Sequence, residues 1–284
     1  MIQIVSDSCC DLPPVFLAQY PIHIVPLPLQ IGEEQYWPGV DLGMEQALAK
    51  IAAANMMPST SQPPPAAYEA VFQTLQTEGP ILCFTISSKL SGSFQSANLA
   101  AKNCGGDITV WDTLQGSCAQ GFQVLLAASL AAEGKTVPEI LQALEAYVSQ
   151  SSIVIILKRY DRAMQSGRIN KVVGSIGQKL NIRALLEVVD GKIIIVDKAR
   201  GEEKICKKMM QRIGAKSQNW QETVIGIAHF NCLDLAKFYQ EKLIQQLQPK
   251  EFYLATLNPT IGVYADVGGL VFSIAPCPFT FGRE

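Results

Sequence analysis

The sequence predicts an α/β protein, with a Rossmann-like parallel-sheet domain followed by an α+β domain that has a mixed or antiparallel sheet. In the first half, short apolar strands alternate with helices, which indicates right-handed crossovers between parallel strands. In the second half, the residues around Asp190-Gly191 are typical of a tight turn between two apolar strands. A hairpin among helices indicates antiparallel pairing in the second domain.

Length and composition allow two packed domains. The chain has 284 residues, of which 48% are hydrophobic and 17% are charged, so a substantial core is expected and disorder is not. We place the boundary near residue 150, with an N-terminal domain at 1–150 and a C-terminal domain at 151–284. A net charge of −2 gives no global attraction to nucleic acid, and we find no helix-turn-helix pattern.

The elements of the first half follow from apolar spacing and from proline and glycine positions. The prolines after Ser61 indicate a helix start, and Tyr68, Phe72 and Leu75 recur at the spacing of one helix face. Glu133-Gly134-Lys135 is typical of a helix end. In order, we expect strand 2–5, a helix after Asp11, strand 22–31, helix 42–54, a helix opened by Ser59-Thr60-Ser61, strand 81–85, a helix capped by Ser91, strand 108–112, helix 116–133 and a helix from Pro138 to about 149.

The second half is predicted to combine a hairpin with further strands and helices. Its elements are strand 153–157, hairpin strands 185–189 and 192–198, helix 202–213, strand 223–228, helix 232–247 and strands near 251–257 and 270–274.

Clusters of hydroxyl side chains follow the strands of the first half. Ser87, Ser88, Ser91 and Ser93 come after strand 81–85, and Gly92 among them permits a close backbone approach to a ligand. The carboxyl ends of parallel strands meet at one sheet edge, where helix N-termini also present free N–H groups. Helix capping would account for only one serine of this cluster and would leave the others unexplained. We therefore expect the hydroxyls and the free N–H groups to form a neutral cradle for a carboxylate or a phosphate.

The sequence offers no evident catalytic apparatus. Asp7 and Asp112 are possible general bases, but each can equally brace a turn. His23 and His229 lie in strand-like segments, and neither a phosphate-binding Walker loop nor a nucleophile elbow is present. We predict a non-catalytic binding protein with no cofactor and no metal. The first residues do not resemble a signal peptide and no membrane-spanning segment is expected, so we predict a cytoplasmic protein.

Several sequence blocks, in the same order, resemble the DegV family of bacterial fatty-acid-binding proteins over nearly the whole chain. Residues 5–13 resemble the family's T-D-S-x-x-D-L-P, and 58–63 its P-T-T-S-Q-P. Residues 86–97 nearly repeat its I-S-S-x-L-S-G-T-Y-Q-S-A. Gly167-Arg168-Ile169 and Lys198-Ala199-Arg200-Gly201 match its G-R-I and K-x-R-G.

The resemblance implies a DegV-like fold and a specific function. It implies that one long-chain fatty acid lies in an apolar tunnel between the two domains, and that Thr60 and Ser91 hold its carboxylate. A separate ATP-dependent fatty acid kinase would convert the ligand to an acyl phosphate for phospholipid synthesis. Arg168 and Arg200 fall at positions implicated in docking that kinase. With the adjoining groups, the expected carboxylate site comprises Thr60, Ser61, Ser91, Gly92, Ser93 and Tyr264.

One segment departs from the family pattern. Tyr264 stands where the family usually has a histidine, and Asp266-Val267 replaces Gly-Pro. A tyrosine hydroxyl can still donate a hydrogen bond, whereas Asp266 would oppose an anion if it pointed inward. Two alternatives follow: a lipid carrier for a different acyl ligand outside the kinase pathway, and, less favoured, a hydrolase that uses Asp7 or Asp112.

Overall fold

The computed structural model describes residues 1–54, 57–169 and 182–278. Its strands are β1 (Gln3–Asp7), β2 (Ile22–Val25), β3 (Leu29–Ile31), β4 (Glu34–Tyr36), β5 (Ser59–Thr60), β6 (Ile81–Thr85), β7 (Ile108–Asp112), β8 (Ser152–Leu157), β9 (Ile182–Val189), β10 (Lys192–Arg200), β11 (Thr223–His229), β12 (Glu251–Thr256) and β13 (Leu270–Pro276). Its helices are α1 (Pro14–Gln19), α2 (Met44–Ala53), α3 (Pro65–Leu75), α4 (Ser93–Cys104), α5 (Ser117–Ala132), α6 (Val137–Ser149), α7 (Asp161–Gln165), α8 (Glu202–Gly214), α9 (Leu233–Leu247) and α10 (Pro259–Ala265).

The sheets confirm the predicted fold class. The first half forms a parallel sheet in the order β2-β1-β6-β7. The second half forms a mixed sheet in the order β10-β9-β8-β13-β11-β12, in which β11 and β12 pair in parallel and the other neighbours pair antiparallel. A small antiparallel sheet, β4-β3-β5, was not predicted.

Three local predictions in the first half were wrong. The single strand at 22–31 is divided by Pro26 and Pro28, which have no N–H for a ladder, so β2 and β3 join different sheets. Ser59–Thr60 forms strand β5 instead of opening a helix, and α3 starts only at Pro65. Helix α4 begins at Ser93, with Gly92 at the N-cap position that we had assigned to Ser91.

Helix α5 is the centre of the molecule. It contacts β1 and β6 of the parallel sheet and also β11 and β13 of the mixed sheet, and nearly all of its residues are buried. The helix approaches β11 so closely that a Cβ atom at Gly226 would lie 2.9 Å from Cys118 Cβ and 3.1 Å from the Phe122 ring. The core is therefore continuous across the predicted domain boundary near residue 150.

The tip of the β9–β10 hairpin also docks against the first half. Asp190 and Gly191 have φ angles of +48° and +77°, as a tight Asp-Gly hairpin turn requires. The Ser87 hydroxyl donates a hydrogen bond of 2.8 Å to the Gly191 carbonyl. A Cβ atom at Gly191 would lie 2.5 Å from Ser87 Oγ, so this contact admits only glycine without rearrangement.

We expect Gly191→Ala to lower the free energy of unfolding by about 2–3 kcal/mol, because it adds a collision with Ser87 to the strain of a positive φ angle. Gly134→Ala is the matched control, since Gly134 has a φ of +81° and nothing within 4 Å of its added Cβ. Urea unfolding of both variants separates strain from docking. Equal losses of unfolding free energy in the two variants would show that the contact between the hairpin tip and Ser87 adds nothing to stability.

Candidate functional site

A cavity of about 710 Å³, which includes the open space at its mouth, lies between the two halves of the chain. Most of its wall is aliphatic, and the aliphatic residues come from both halves: Leu27, Ile86, Leu90, Ile155, Leu157, Ile169, Ile193, Ile261 and Val271. Such a wall suits an extended hydrocarbon chain.

The mixed sheet supplies the apolar floor of this cavity. Ile155 of β8 and Val271 of β13 are directly opposite each other in the antiparallel ladder, so their side chains share one face. Leu157 lies two residues beyond Ile155 and joins that face, and Ile193 of the hairpin adds to the wall. The hairpin that docks on Ser87 therefore also encloses the cavity.

The first polar group of the cavity is a pair of hydroxyls from distant parts of the sequence. The Thr60 amide donates to the Tyr264 hydroxyl at 3.0 Å, and Thr60 Oγ1 lies 2.8 Å from the same oxygen. Both residues line the cavity. Two hydroxyls have two protons and use one between them, so the pair retains one O–H donor for a ligand.

A second hydroxyl pair lies at the start of α4. Ser91 Oγ accepts a hydrogen bond from the Ser93 amide at 3.2 Å and lies 2.9 Å from Ser93 Oγ. Ser93 is fully buried, whereas Ser91 lines the cavity. When Ser93 donates to Ser91, the Ser91 proton is left to point into the cavity. The two pairs thus place neutral donors on an otherwise aliphatic wall, an arrangement that suits the two oxygens of a carboxylate.

Three of the other predicted residues lie outside the cavity lining, at least in the part of the chain that the structure describes. Ser61 is exposed, and its amide donates to the Pro28 carbonyl at 3.4 Å. Gly92 lies against the exposed Gln62 side chain, which would have to move to admit a Cβ atom at this position. Arg200 is exposed at the end of β10. Their assignment to ligand or partner binding stays a prediction.

Arg168, which the resemblance assigned to partner docking, lines the cavity. Its guanidinium carbon lies 4.9 Å from the centre of the Tyr264 ring, and its Nη1 donates to the Ser166 carbonyl at 2.9 Å. Arg168 therefore stacks on the same ring whose hydroxyl is hydrogen-bonded to Thr60. Local sequence patterns gave no signal for this arrangement, because Arg168 and Tyr264 are remote in the chain.

Asp266 faces two arginines. Its carboxylate lies 3.5 Å from Arg159 Nε and 3.8 Å from Arg162 Nη1, and its side chain is 13% exposed. It is not among the described residues that line the cavity. The negative charge that departs from the family pattern is thus balanced by neighbouring cations.

The sequence analysis missed the two other residues of the described cavity wall whose side chains carry a hydroxyl or a thiol. Thr260 and Cys9 both line it, and Cys9 Sγ lies 4.0 Å from Thr260 Oγ1. The Asn258 side chain caps α10 by accepting from the Thr260 amide at 3.1 Å. The Asn-Pro-Thr sequence is a recognisable helix start, and it could have predicted that a helix begins at this part of the cavity wall.

Asp7 and Asp112 act as braces for the strand ends. Asp7 is completely buried, and it accepts from the Cys9 amide at 3.1 Å, the Ile86 amide at 2.8 Å and Gln120 Nε2 at 2.8 Å. Burial raises the pKa of Asp7 to about 6, against the lowering effect of these donors. Asp112 Oδ1 accepts from the Ser88 and Leu114 amides, each at 3.1 Å. These bonds explain both residues without a catalytic role.

The structure contains no described helix that has both the length and the apolar character needed to cross a membrane.

Comparison with solved structures finds the same fold over nearly the whole chain. A DegV family protein from Thermus thermophilus, described as fatty-acid binding, is 26% identical with a TM-score of 0.88, and the match covers 97% of this chain and 99% of that one. A DegV family protein from Ruminococcus gnavus, solved with vaccenic acid, is 26% identical with a TM-score of 0.88, covering 96% and 98%.

Sequence comparison gives the same result. A DegV domain-containing protein from Clostridium acetobutylicum is 33% identical over 247 residues, which are 86% of this chain and 88% of the relative. Another from Deinococcus radiodurans is 36% identical over 213 residues, or 75% and 76% of the two chains. The family model described as an uncharacterised protein of the DegV family matches residues 1–276. The chain therefore belongs to the DegV family.

Proposed function

We propose that this protein binds one long-chain fatty acid in the cavity between its two halves and presents the carboxylate to an ATP-dependent fatty acid kinase. The observation that carries the proposal is an aliphatic cavity that also bears the hydroxyls of Thr60, Tyr264 and Ser91, the last of which is paired with the buried Ser93. Related structures that are described as fatty-acid binding, or that contain a fatty acid, support the choice of ligand.

The aliphatic wall supplies the affinity and the hydroxyls supply the orientation. Burial of the acyl chain contributes roughly 0.8 kcal/mol for each CH₂ group removed from water. Hydroxyl donors orient the carboxylate and leave an oxygen lone pair for attack on the γ-phosphate of ATP. The protein itself would hold the nucleophile and take no further part in the chemistry, since Asp7 and Asp112 are engaged in structural hydrogen bonds.

The direct test begins with the purified protein. We would compare its native and denatured masses, identify any released lipid, and measure the binding of added palmitate and oleate. A single stoichiometric fatty acid is the expected result. A protein that is empty and also fails to take up either acid would contradict the proposed ligand.

We expect Thr60→Val combined with Ser91→Ala to weaken fatty-acid binding by about 10- to 100-fold. Each hydroxyl that is removed takes away a hydrogen bond to a charged group, which contributes about 1.5–3 kcal/mol, and part of that loss is recovered from water. Ser59→Ala is the matched control, because Ser59 is exposed and precedes Thr60 in the same strand. Displacement of a fluorescent fatty acid gives the affinities. Unchanged affinity in the double variant would contradict the assigned carboxylate site.

A lipid carrier outside the kinase pathway is the second candidate, because Tyr264 stands where the family usually has a histidine and changes the group that meets the ligand. A reaction with a fatty acid kinase, ATP and hydroxylamine separates the two. The first proposal predicts that acyl phosphate forms and is trapped as an acyl hydroxamate. The second predicts lipid binding with no hydroxamate.

A further inference from the structure

The residue that ends α10 has a strained backbone. Asp266 has a φ of +58° and a ψ of +166°, a combination that only glycine adopts readily. Asp11 and Gln248 also have positive φ angles, but their ψ angles of 38° and 56° place them in the ordinary left-handed region. A strained residue persists only where its surroundings hold it. Contacts of Asp266 must therefore offset the strain.

The carboxylate of Asp266 supplies these contacts. Its Oδ2 lies 3.5 Å from Arg159 Nε, and its Oδ1 lies 3.8 Å from Arg162 Nη1. Oδ1 also accepts a hydrogen bond of 2.9 Å from the Val267 amide. Asp266 is buried, and buried charges are screened by salt less than exposed ones are. The carboxylate thus joins the end of α10 to the two arginines at the start of α7, and we call these three residues the α10–α7 bridge.

Both helices that the bridge joins contribute to the cavity wall. Tyr264 and Ala265 of α10 line the cavity, and so does Ala163 of α7. Tyr264 lies two residues before Asp266, and its hydroxyl contacts Thr60 at 2.8 Å. A shift of the end of α10 would therefore separate the Tyr264 hydroxyl from Thr60 and open the wall at its polar part.

Stability does not explain an aspartate at this position. Ion pairs of partly exposed side chains contribute little, and the side chains of Arg159 and Arg162 are 57% and 27% exposed. Strain opposes that small gain, whereas glycine would adopt the same backbone freely. What the aspartate adds is a charge that links two parts of the cavity wall.

We propose that Asp266 is a positioning residue: through Arg159 and Arg162 it fixes the end of α10 to α7, and this slows the release of a bound fatty acid. Asp266 is not among the described residues that line the cavity, so it acts through Tyr264 and the wall. The inference rests on the proposed binding of fatty acids. It goes beyond that function, because it assigns control of ligand release to a residue outside the cavity lining.

The rate of ligand release is the first measurement. A fluorescent fatty acid bound to the full-length protein is displaced with excess oleate, and its release is followed for the unmodified protein, Asp266→Gly and Asp266→Asn. We expect both substitutions to accelerate release by about 3- to 20-fold, because each removes both ion pairs of the bridge. Asp107→Asn is the matched control, because Asp107 is exposed, and it should release the ligand at the unmodified rate.

The two substitutions should differ in their effect on folding. The urea midpoint of Asp266→Gly should lie close to that of the unmodified protein, because relief of strain offsets the lost ion pairs and the greater freedom of the unfolded chain. Asp266→Asn loses the ion pairs and keeps the strain, so it should unfold at a lower urea concentration. Faster release from a glycine variant of undiminished stability would separate positioning from a merely structural role.

A combined variant shows whether Asp266 acts through the two arginines. Arg159→Gln together with Arg162→Gln should accelerate release as much as Asp266→Asn does, and the triple variant should release the ligand no faster. Salt gives an independent readout. About 1 M NaCl, where the Debye length is about 3 Å, should accelerate release more from the unmodified protein and Asp107→Asn than from the Asp266 variants.

Three outcomes would overturn the proposal. Release at the unmodified rate in both Asp266 variants would show that the bridge does not retain the ligand. Faster release from Asp266→Asn alone, together with lower stability, would show that the effect comes from the fold as a whole. Additive acceleration in the triple variant would show that Asp266 and the arginines act independently. By contrast, failure of the unmodified protein to bind any fatty acid would reject the proposed function itself.

Discussion

At pH 5, where a carboxyl with a pKa of about 6 is largely protonated, Asp7→Ala should lower the free energy of unfolding by about 3–5 kcal/mol. The substitution leaves three buried donors without their acceptor, namely the Cys9 amide, the Ile86 amide and Gln120 Nε2. A buried donor that loses its partner costs about 1–3 kcal/mol, and local relaxation recovers part of the sum. Urea denaturation followed by circular dichroism gives the value, and a loss below about 1 kcal/mol would contradict the bracing role.

The effect should reach the ligand site as well. Asp7 holds the Ile86 amide, and Ile86 lines the cavity directly before the segment that carries Ser91. We therefore expect the folded fraction of the variant to bind fatty acid more weakly than the unmodified protein. Asp107→Ala is the control for the loss of one negative charge, because Asp107 is exposed, and such surface changes usually alter stability by less than about 0.5 kcal/mol.

Asp11→Asn should make the protein more stable at pH 8, by up to about 4 kcal/mol. Burial raises the pKa of Asp11 from 3.8 to about 7, against the lowering effects of the Asn258 amide and the Ser117 hydroxyl. One pKa unit corresponds to about 1.4 kcal/mol, so a shift of about three units means that ionisation of this carboxyl above pH 7 costs about 4 kcal/mol in the folded state. Asparagine avoids the cost and can still accept from the Asn258 amide, which lies 2.7 Å from Asp11 Oδ1.

The sign of the pH dependence follows from the same shift. Between about pH 4 and 7, the folded protein binds more protons at Asp11 and Asp7 than the unfolded chain does, so stability decreases as the pH rises. His229 acts in the opposite direction, because burial lowers its pKa and acidification below about 6.5 then favours unfolding. Carboxylates with lowered pKa values, such as Glu187, stabilise the folded protein at neutral pH. That stabilisation is lost when the pH falls below the usual pKa of a glutamate.

Urea titrations at pH 5 and pH 8 test this prediction. We expect the unmodified protein to be more stable at pH 5, and the difference between the two pH values to shrink in Asp11→Asn. The substitution also suits the backbone, since Asp11 has a φ of +43° and asparagine tolerates the left-handed region well. The same stability for both proteins at pH 8 would contradict the raised pKa.

Strong local patterns made much of the fold predictable. The strands β6 and β7 and the hairpin turn at Asp190-Gly191 were predicted because apolar runs and turn residues define them without long-range information. The small sheet was missed because β3 and β4 have three residues each and β5 has two, too few for a periodic pattern. Their pairing depends on contacts between distant segments.

The candidate site was predictable in its chemistry and less so in its geometry. The serine cluster after β6 indicated an anion site, and the family resemblance selected Thr60 and Ser91 within the hydroxyl clusters. The contact between Thr60 and Tyr264 joins residues 204 positions apart, and the stack of Arg168 on the same ring is equally remote from local sequence. Such contacts arise only when the two halves pack together.

The burial of α5 has a consequence for how the gene can be divided. A fragment that ends at residue 150 would retain α5 but lose β11 and β13, and the side of the helix around Cys118 and Phe122 would then face water. Exposed apolar surface of this kind promotes aggregation. Fragments expressed separately should therefore be insoluble on their own. Co-expression should restore a soluble complex, because each fragment covers the apolar surface that the other exposes.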